Sequence, residues 1–272
     1  MDERTERIAG VDVLWREAPS QGVAAPVLHL HGVPGSSADW LPFLERSGGY
    51  APDLPGFGRS GKPAHFDYSI AGYRAFLRAY VDHLGLDRFS LVMHDWGGVG
   101  LALAMAVPER IERLVAIDVV PFLPGYRWHR VARLWRTPLV GEMTMGFTFK
   151  RSLKQGSREW LAADGPAPDA MLDEVWRHFD HGTQRAILKL YRSAPPSALA
   201  AAGECLGDVT APALVLWGSD DPYLPDEFAN ALGDRLGGPA EVEVVDGARH
   251  WPWLDRPELV ERVAAFLLGT RD

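Results

Sequence analysis

The sequence predicts an α/β fold, a mostly parallel sheet with crossover helices, and three observations predict it. Short apolar, β-rich runs alternate with helical patterns at both ends of the chain. Glycine-rich turns follow several of those runs, and one long middle stretch has no convincing strand. With 272 residues, 47% hydrophobic and 24% charged, the chain has room for one large domain with an insertion, or two small ones.

The elements read in order as follows. Residues 11–15 alternate as an edge strand, and 26–31 form an apolar strand. Residues 88–94, 113–118, 212–217 and 240–246 have the continuous apolar character of buried parallel strands. Between them, 70–84, 98–107 and 257–268 space their apolar residues at three and four, as core-facing helices do, and Pro257-Glu258 is a good helix start. From about 122 to 207 the pattern breaks into a stretch rich in tryptophan, arginine, alanine and proline. It falls between two sheet strands, so it reads as a helical insertion over the carboxyl edge of the sheet, where open α/β sheets bind ligands. The expected organisation is a core of residues 1–122 and 208–272 with a helical cap of 123–207.

Bulk properties narrow the function. A net charge of -8 leaves no basic footprint for nucleic acid. The single cysteine, Cys205, has no internal partner and fits a reducing compartment. Residues 1–7 are charged and lack the apolar stretch of a secretory signal, and no run reaches the roughly 20 apolar residues of a membrane span. The expected setting is cytoplasmic, in solution, on a small molecule.

The most informative motif is Met93-His94-Asp95-Trp96-Gly97-Gly98, directly after a strand and before a helix. A residue on such a turn is pushed out above the sheet, and the small residues let strand and helix close together. A carboxylate there is ionised at neutral pH and can attack an electrophilic sp³ carbon without a base, leaving an alkyl ester on the protein. The competing role for Asp95 is to cap the following helix. Clearing an ester by water calls for a general base, and His250 follows the last strand and precedes the last helix. A carboxylate should orient it. Asp221 in Gly218-Ser219-Asp220-Asp221-Pro222 is the first choice, with Asp118 at the end of another strand as the alternative. Strand-end carboxylates are common turn-formers, so some of Asp118, Asp220 and Asp221 are structural. Oxyanion donors come from His31-Gly32-Val33-Pro34, whose Val33 amide converges with that of Trp96, and Val33-Pro34 is a candidate cis bond. Asp53-Leu54-Pro55-Gly56-Phe57-Gly58-Arg59-Ser60 lacks the lysine of a phosphate loop and reads as a structural rim. His31, Trp40, Phe122, Phe147, Phe149 and Trp251 are the expected substrate-binding side chains, with Trp96 among the pocket aromatics.

With these motifs in family order, the chain resembles the α/β-hydrolase superfamily over nearly its whole length. The resemblance implies an eight-stranded sheet with an inserted cap. His94-Asp95-Trp96-Gly97 is similar to the branch that holds epoxide hydrolases and haloalkane dehalogenases, both of which use an aspartate nucleophile and no metal or cofactor. Epoxide hydrolases carry cap tyrosines that donate to the ring oxygen, and Leu190-Tyr191-Arg192 looks like the second of these. The first has no evident counterpart, with Phe147 or Phe149 near its place and Tyr126 earlier. Haloalkane dehalogenases hold the halide between two N–H donors, for which Trp96 fits. The second would come from Val33's position, which lacks the asparagine of one subgroup, or from Trp128, Trp135, Trp160 or Trp176. Fluoroacetate dehalogenases follow the nucleophile with arginines, where this chain has Trp96 and Val99. A further departure is Met93, where the superfamily prefers a small residue. The expectation from sequence is an epoxide hydrolase acting on a small apolar epoxide with water. A haloalkane dehalogenase is the alternative and a non-catalytic small-ligand binder the second. A homodimer is an open option.

Overall fold

The computed structural model describes residues 1–161 and 168–269. Its sheet runs β1 (Asp2–Ile8), β2 (Val11–Ala18), β3 (Val27–Leu30), β4 (Gly49–Pro52), β5 (Phe89–Asp95), β6 (Ile111–Val119), β7 (Ala213–Gly218) and β8 (Ala240–Val245). The spatial order is β1-β2-β4-β3-β5-β6-β7-β8. The first hairpin and the β2–β4 pair are antiparallel, and every pair from β4 to β8 is parallel. This is the α/β class that the alternating pattern predicts.

Two details differ from the sequence reading. The strand at 11–15 is covered by β1, so it is not the sheet edge. β1 is almost wholly exposed and charged, which suits an edge that must resist pairing with other chains. At the other margin β8 alternates between partly buried and exposed residues instead of being buried throughout, because only β7 flanks it.

Helices α1 (Leu41–Ser47), α2 (Ile70–His83) and α3 (Val99–Ala106) belong to the first half of the core. α2 starts where the Ser69 side chain accepts from the Gly72 amide, and its stripe of Tyr73, Phe76, Leu77, Tyr80 and Val81 is buried. The inserted cap between β6 and β7 consists of α4 (Arg130–Arg136), α5 (Val140–Gly146), α6 (Lys150–Gly156), α7 (Asp169–His178), α8 (His181–Ser193) and α9 (Pro196–Ala202). The core resumes with α10 (Glu227–Arg235), α11 (Pro252–Asp255) and α12 (Glu258–Leu268), the last closed by left-handed Gly269.

Two apolar clusters lie on the two faces of the sheet. Along β5, Leu91 and Met93 enter the cluster that takes α2, α3 and α10, while Val92 enters the cluster of α1 and α12. Met93 fits because Gly100 faces it: a β-carbon on Gly100 would meet the Met93 sulfur at 2.5 Å. The elbow itself is equally tight, since a β-carbon on Gly97 would lie 2.0 Å from the Leu30 carbonyl oxygen. Gly97→Ala is therefore expected to destabilise the fold by about 2–3 kcal/mol, read as a lowered thermal midpoint. An unchanged midpoint would mean that strand and helix can separate here.

Candidate active site

β5 ends in Asp95, whose backbone is forced to φ 49° and ψ -121°, the left-handed side of the map that side-chain-bearing residues seldom adopt. The strain lifts the carboxylate off the sheet. It caps no amide of the turn that follows, contrary to the capping role. Instead its Oδ1 accepts from the Val33 amide at 2.7 Å. Gly32 permits that approach, because a β-carbon there would lie 2.4 Å from the Asp95 Cβ. Val33-Pro34 is cis.

His250 and Asp221 complete a line with Asp95. His250 Nε2 stands 3.6 Å from Asp95 Oδ2, and its Nδ1–H donates to Asp221 Oδ2 at 2.6 Å. Asp221 also accepts from the Tyr223 and Leu224 amides at 2.7 and 3.1 Å. His94 Nε2–H donates to the His250 carbonyl at 2.7 Å and packs its ring 4.8 Å from that of His250, fixing the loop. Burial disfavours the His250 cation, but Asp221 and Asp95 outweigh burial and push it up to about 10. Burial likewise opposes the Asp95 charge, and His250, His94 and the Val33 amide overcome it, holding Asp95 below its ordinary value. The resting site is a carboxylate anion beside an imidazolium.

Asp118 follows a different pattern. It is completely buried, and its Oδ1 accepts from the Gly218 amide at 3.0 Å instead of from His250.

Above Asp95 lies a cavity of about 320 Å³, open on one side between cap and core. Trp128, Trp135, Trp160 and Trp251 supply its aromatic walls, with Asp95 and His250 among the lining residues. Tyr191, Tyr223 and His129 add polar groups. Burial pushes the Tyr191 phenol well above its ordinary value, with the Asp95 charge adding to it, so it remains a hydrogen donor. The Trp96 indole N–H is buried within hydrogen-bonding reach of the Tyr191 hydroxyl, with rings 5.3 Å apart, while Trp96 itself is not among the residues that line the cavity. Trp128 stacks on Trp96 at 5.5 Å, yet its own N–H is engaged by the Ala194 carbonyl at 2.8 Å.

Other expected binding residues sit elsewhere. Phe147 and Phe149 are 70% and 60% exposed and do not line the cavity. They stand on either side of Thr148, between the end of α5 and the start of α6. Trp40 stacks on Trp253 in the core, 5.7 Å between rings. Phe122 is fully buried, its backbone against Gly203. His31 is a tie between loops: Nδ1–H donates to the Gly32 carbonyl and Nε2 accepts from the Leu54 amide at 2.9 Å. Asp53 accepts from the Ser37 and Arg59 amides and holds the glycine-rich rim. Tyr126 donates to the Tyr223 carbonyl at 3.4 Å, and Trp176 stacks on Phe179.

His129 has no place in the sequence reading. Its Nδ1 accepts from the Ala132 amide as the cap of α4, which leaves the ring hydrogen on Nε2. Burial pushes it down to about 4, so it is neutral. The available signal is a lone polar residue beside Trp128 in an aromatic-rich insertion.

Among the described residues no cluster of side chains could hold a metal ion, and no helix is long and apolar enough to cross a membrane. The profile of the alpha/beta hydrolase family matches residues 27–263. A haloalkane dehalogenase of Mycolicibacterium paratuberculosis is 30% identical, over 92% of this chain and 85% of that protein. Epoxide hydrolase 3 of Xenopus tropicalis is 28% identical, over 87% of this chain and 69% of that protein. The crystal structure of the haloalkane dehalogenase DbeA from Bradyrhizobium elkani superposes with a TM-score of 0.82 at 26% identity, covering 98% of each chain. The chain belongs to the alpha/beta hydrolase family, as a hydrolase of its dehalogenase and epoxide-hydrolase branch.

Proposed function

We propose that the protein is a haloalkane dehalogenase acting on small apolar haloalkanes. The observation that carries this reading is the Trp96 indole N–H, on the residue after Asp95, held within hydrogen-bonding reach of the Tyr191 hydroxyl that lines the cavity. An indole N–H and a phenol O–H held side by side near Asp95 form a pair of donors that a leaving halide would fit. The similarity to haloalkane dehalogenases in both sequence and structure supports the same choice over the epoxide hydrolase that the sequence alone favours.

In the proposed reaction one Asp95 oxygen attacks the halogen-bearing carbon. The carbon–halogen bond breaks, and halide leaves toward Trp96 and the Tyr191 hydroxyl. Esterification removes the Asp95 charge, one of the two charges that hold His250 as a cation. The imidazolium then sheds its proton to solvent and becomes the base. Water attacks the ester carbonyl while His250 takes its proton, and the Val33 amide steadies the oxyanion. The alcohol departs and Asp95 is restored with one oxygen from water.

A second reading, epoxide opening, is favoured by Tyr191. A phenol that keeps its proton at neutral pH can donate to a developing alkoxide, and neutral His129 supplies another N–H to the same cavity. Parallel assays of halide release and diol formation separate the two. Under the first reading Trp96→Phe lowers kcat for halide release by about 10²-fold. Halide release undiminished in Trp96→Phe, or diol formation alone in the unmodified protein, would overturn it.

A further inference from the structure

The Asp118–Asp221 neighbourhood holds more hydrogen-bond acceptors than donors. Asp221 uses Oδ1 for the Tyr223 and Leu224 amides and Oδ2 for the His250 Nδ1–H. Asp118, at the end of β6 with φ 40°, uses Oδ1 for the Gly218 amide. Its Oδ2 is buried, has no donor among the described residues, and the side chain faces Asp221 within hydrogen-bonding reach. Two bare carboxylates in contact in a dry interior repel strongly, and one proton between them removes both the repulsion and the missing donor.

We propose that Asp118 is held as a neutral carboxylic acid whose O–H donates to the Asp221 carboxylate, making it a positioning residue for the acid that orients His250. The inference rests on the Asp95–His250–Asp221 assignment. Burial first, and then the charge of Asp221, keep the Asp118 carboxyl well above the ordinary carboxylate range, with His250 opposing them. Behind these two neighbours stand Asp95 and His94 toward His250, and Tyr126 and Tyr223 toward Asp221.

Neutrality has a catalytic consequence. An ionised Asp118 would add a second negative charge behind His250 and keep it an imidazolium even after Asp95 is esterified. A neutral one turns Asp221 toward the imidazole ring while leaving a single charge to support it. The water step can then proceed.

The test compares Asp118→Asn, Asp118→Ala and Asp221→Asn in the full-length protein, after thermal melting has confirmed that each folds. Asparagine keeps an acceptor for Gly218 and offers an N–H to Asp221. Asp118→Asn is therefore expected to stay within about threefold of the original kcat with an unshifted pH profile. Asp118→Ala falls by about 10-fold or more, and Asp221→Asn by about 10²- to 10⁴-fold. Infrared difference spectra of the unmodified protein against Asp118→Asn at neutral pH should lose the carbonyl stretch of an un-ionised carboxylic acid. That readout needs no substrate, so it stands or falls independently of the reaction assigned to the site. Asp118→Asn as damaging as Asp221→Asn, or a spectrum that loses only carboxylate bands, would overturn the proposal.

Discussion

Replacing Asp95 by alanine is expected to abolish halide release and diol formation alike, by about 10⁴-fold or more, since both chemistries need the same covalent step. Neither of the two neighbouring carboxylates can take over: Asp221 is occupied by three N–H donors, and Asp118 is fully buried and not among the residues lining the cavity. Some stability should be lost as well, because the alanine removes one partner of the buried His250 pair along with the Val33 hydrogen bond. Steady-state assays beside thermal melts separate the two effects. A folded alanine protein that still turns over a confirmed substrate would rule out an Asp95 ester in either reaction.

His250→Gln divides the cycle. Attack by Asp95 precedes the need for a base, so the variant should release one halide, or open one epoxide, per protein and then stop. Intact-protein mass spectrometry should find the alkyl group retained. A turnover-free protein with no adduct would place His250 in the first step instead of the second. The same histidine links stability to pH. Its folded value, about 10, lies above the ordinary 6.5, so its ion pairs stabilise fully below the ordinary value and fade as pH rises through the folded one. The unmodified protein should therefore lose stability across that alkaline window, and His250→Gln should lose less.

What the sequence made legible follows from where the information resides. Buried strands such as β5 and β7 announce themselves because both faces are apolar, and the elbow does so because only small residues fit around Asp95. β1 is different: Asp2–Ile8 is an edge whose charges face solvent, so no apolar rhythm marks it. Asp95, His250 and Asp221 could be named because strand ends deliver them to one rim. The cap could not be read so closely. Whether Phe147, Phe149 or His129 faces the cavity depends on how short helices lean on one another, and a helix of about seven residues presents no strong stripe of its own. Asp118 and Asp221 could be listed as rivals from spacing, but that they touch requires the register between β6 and β7.

The cap is not uniformly fastened. α8 is bound to the core loop beneath it through Thr183 to the Gly56 carbonyl, Arg185 to that of Lys62, Lys189 to that of Ala64 and Ser193 to that of Tyr68. Lys62 returns the contact to Asp180 at the start of the same helix. α4 and α5 meet the rest of the molecule largely through α8. The roof thus has one wall fastened directly to the core, which carries Tyr191, and one fastened to that wall through Arg136 and Arg192, which carries Leu134 and Trp135. Substitutions at Leu134 or Trp135 can reshape the cavity without touching the hydrogen bonds that tie α8, and with it Tyr191, to the core.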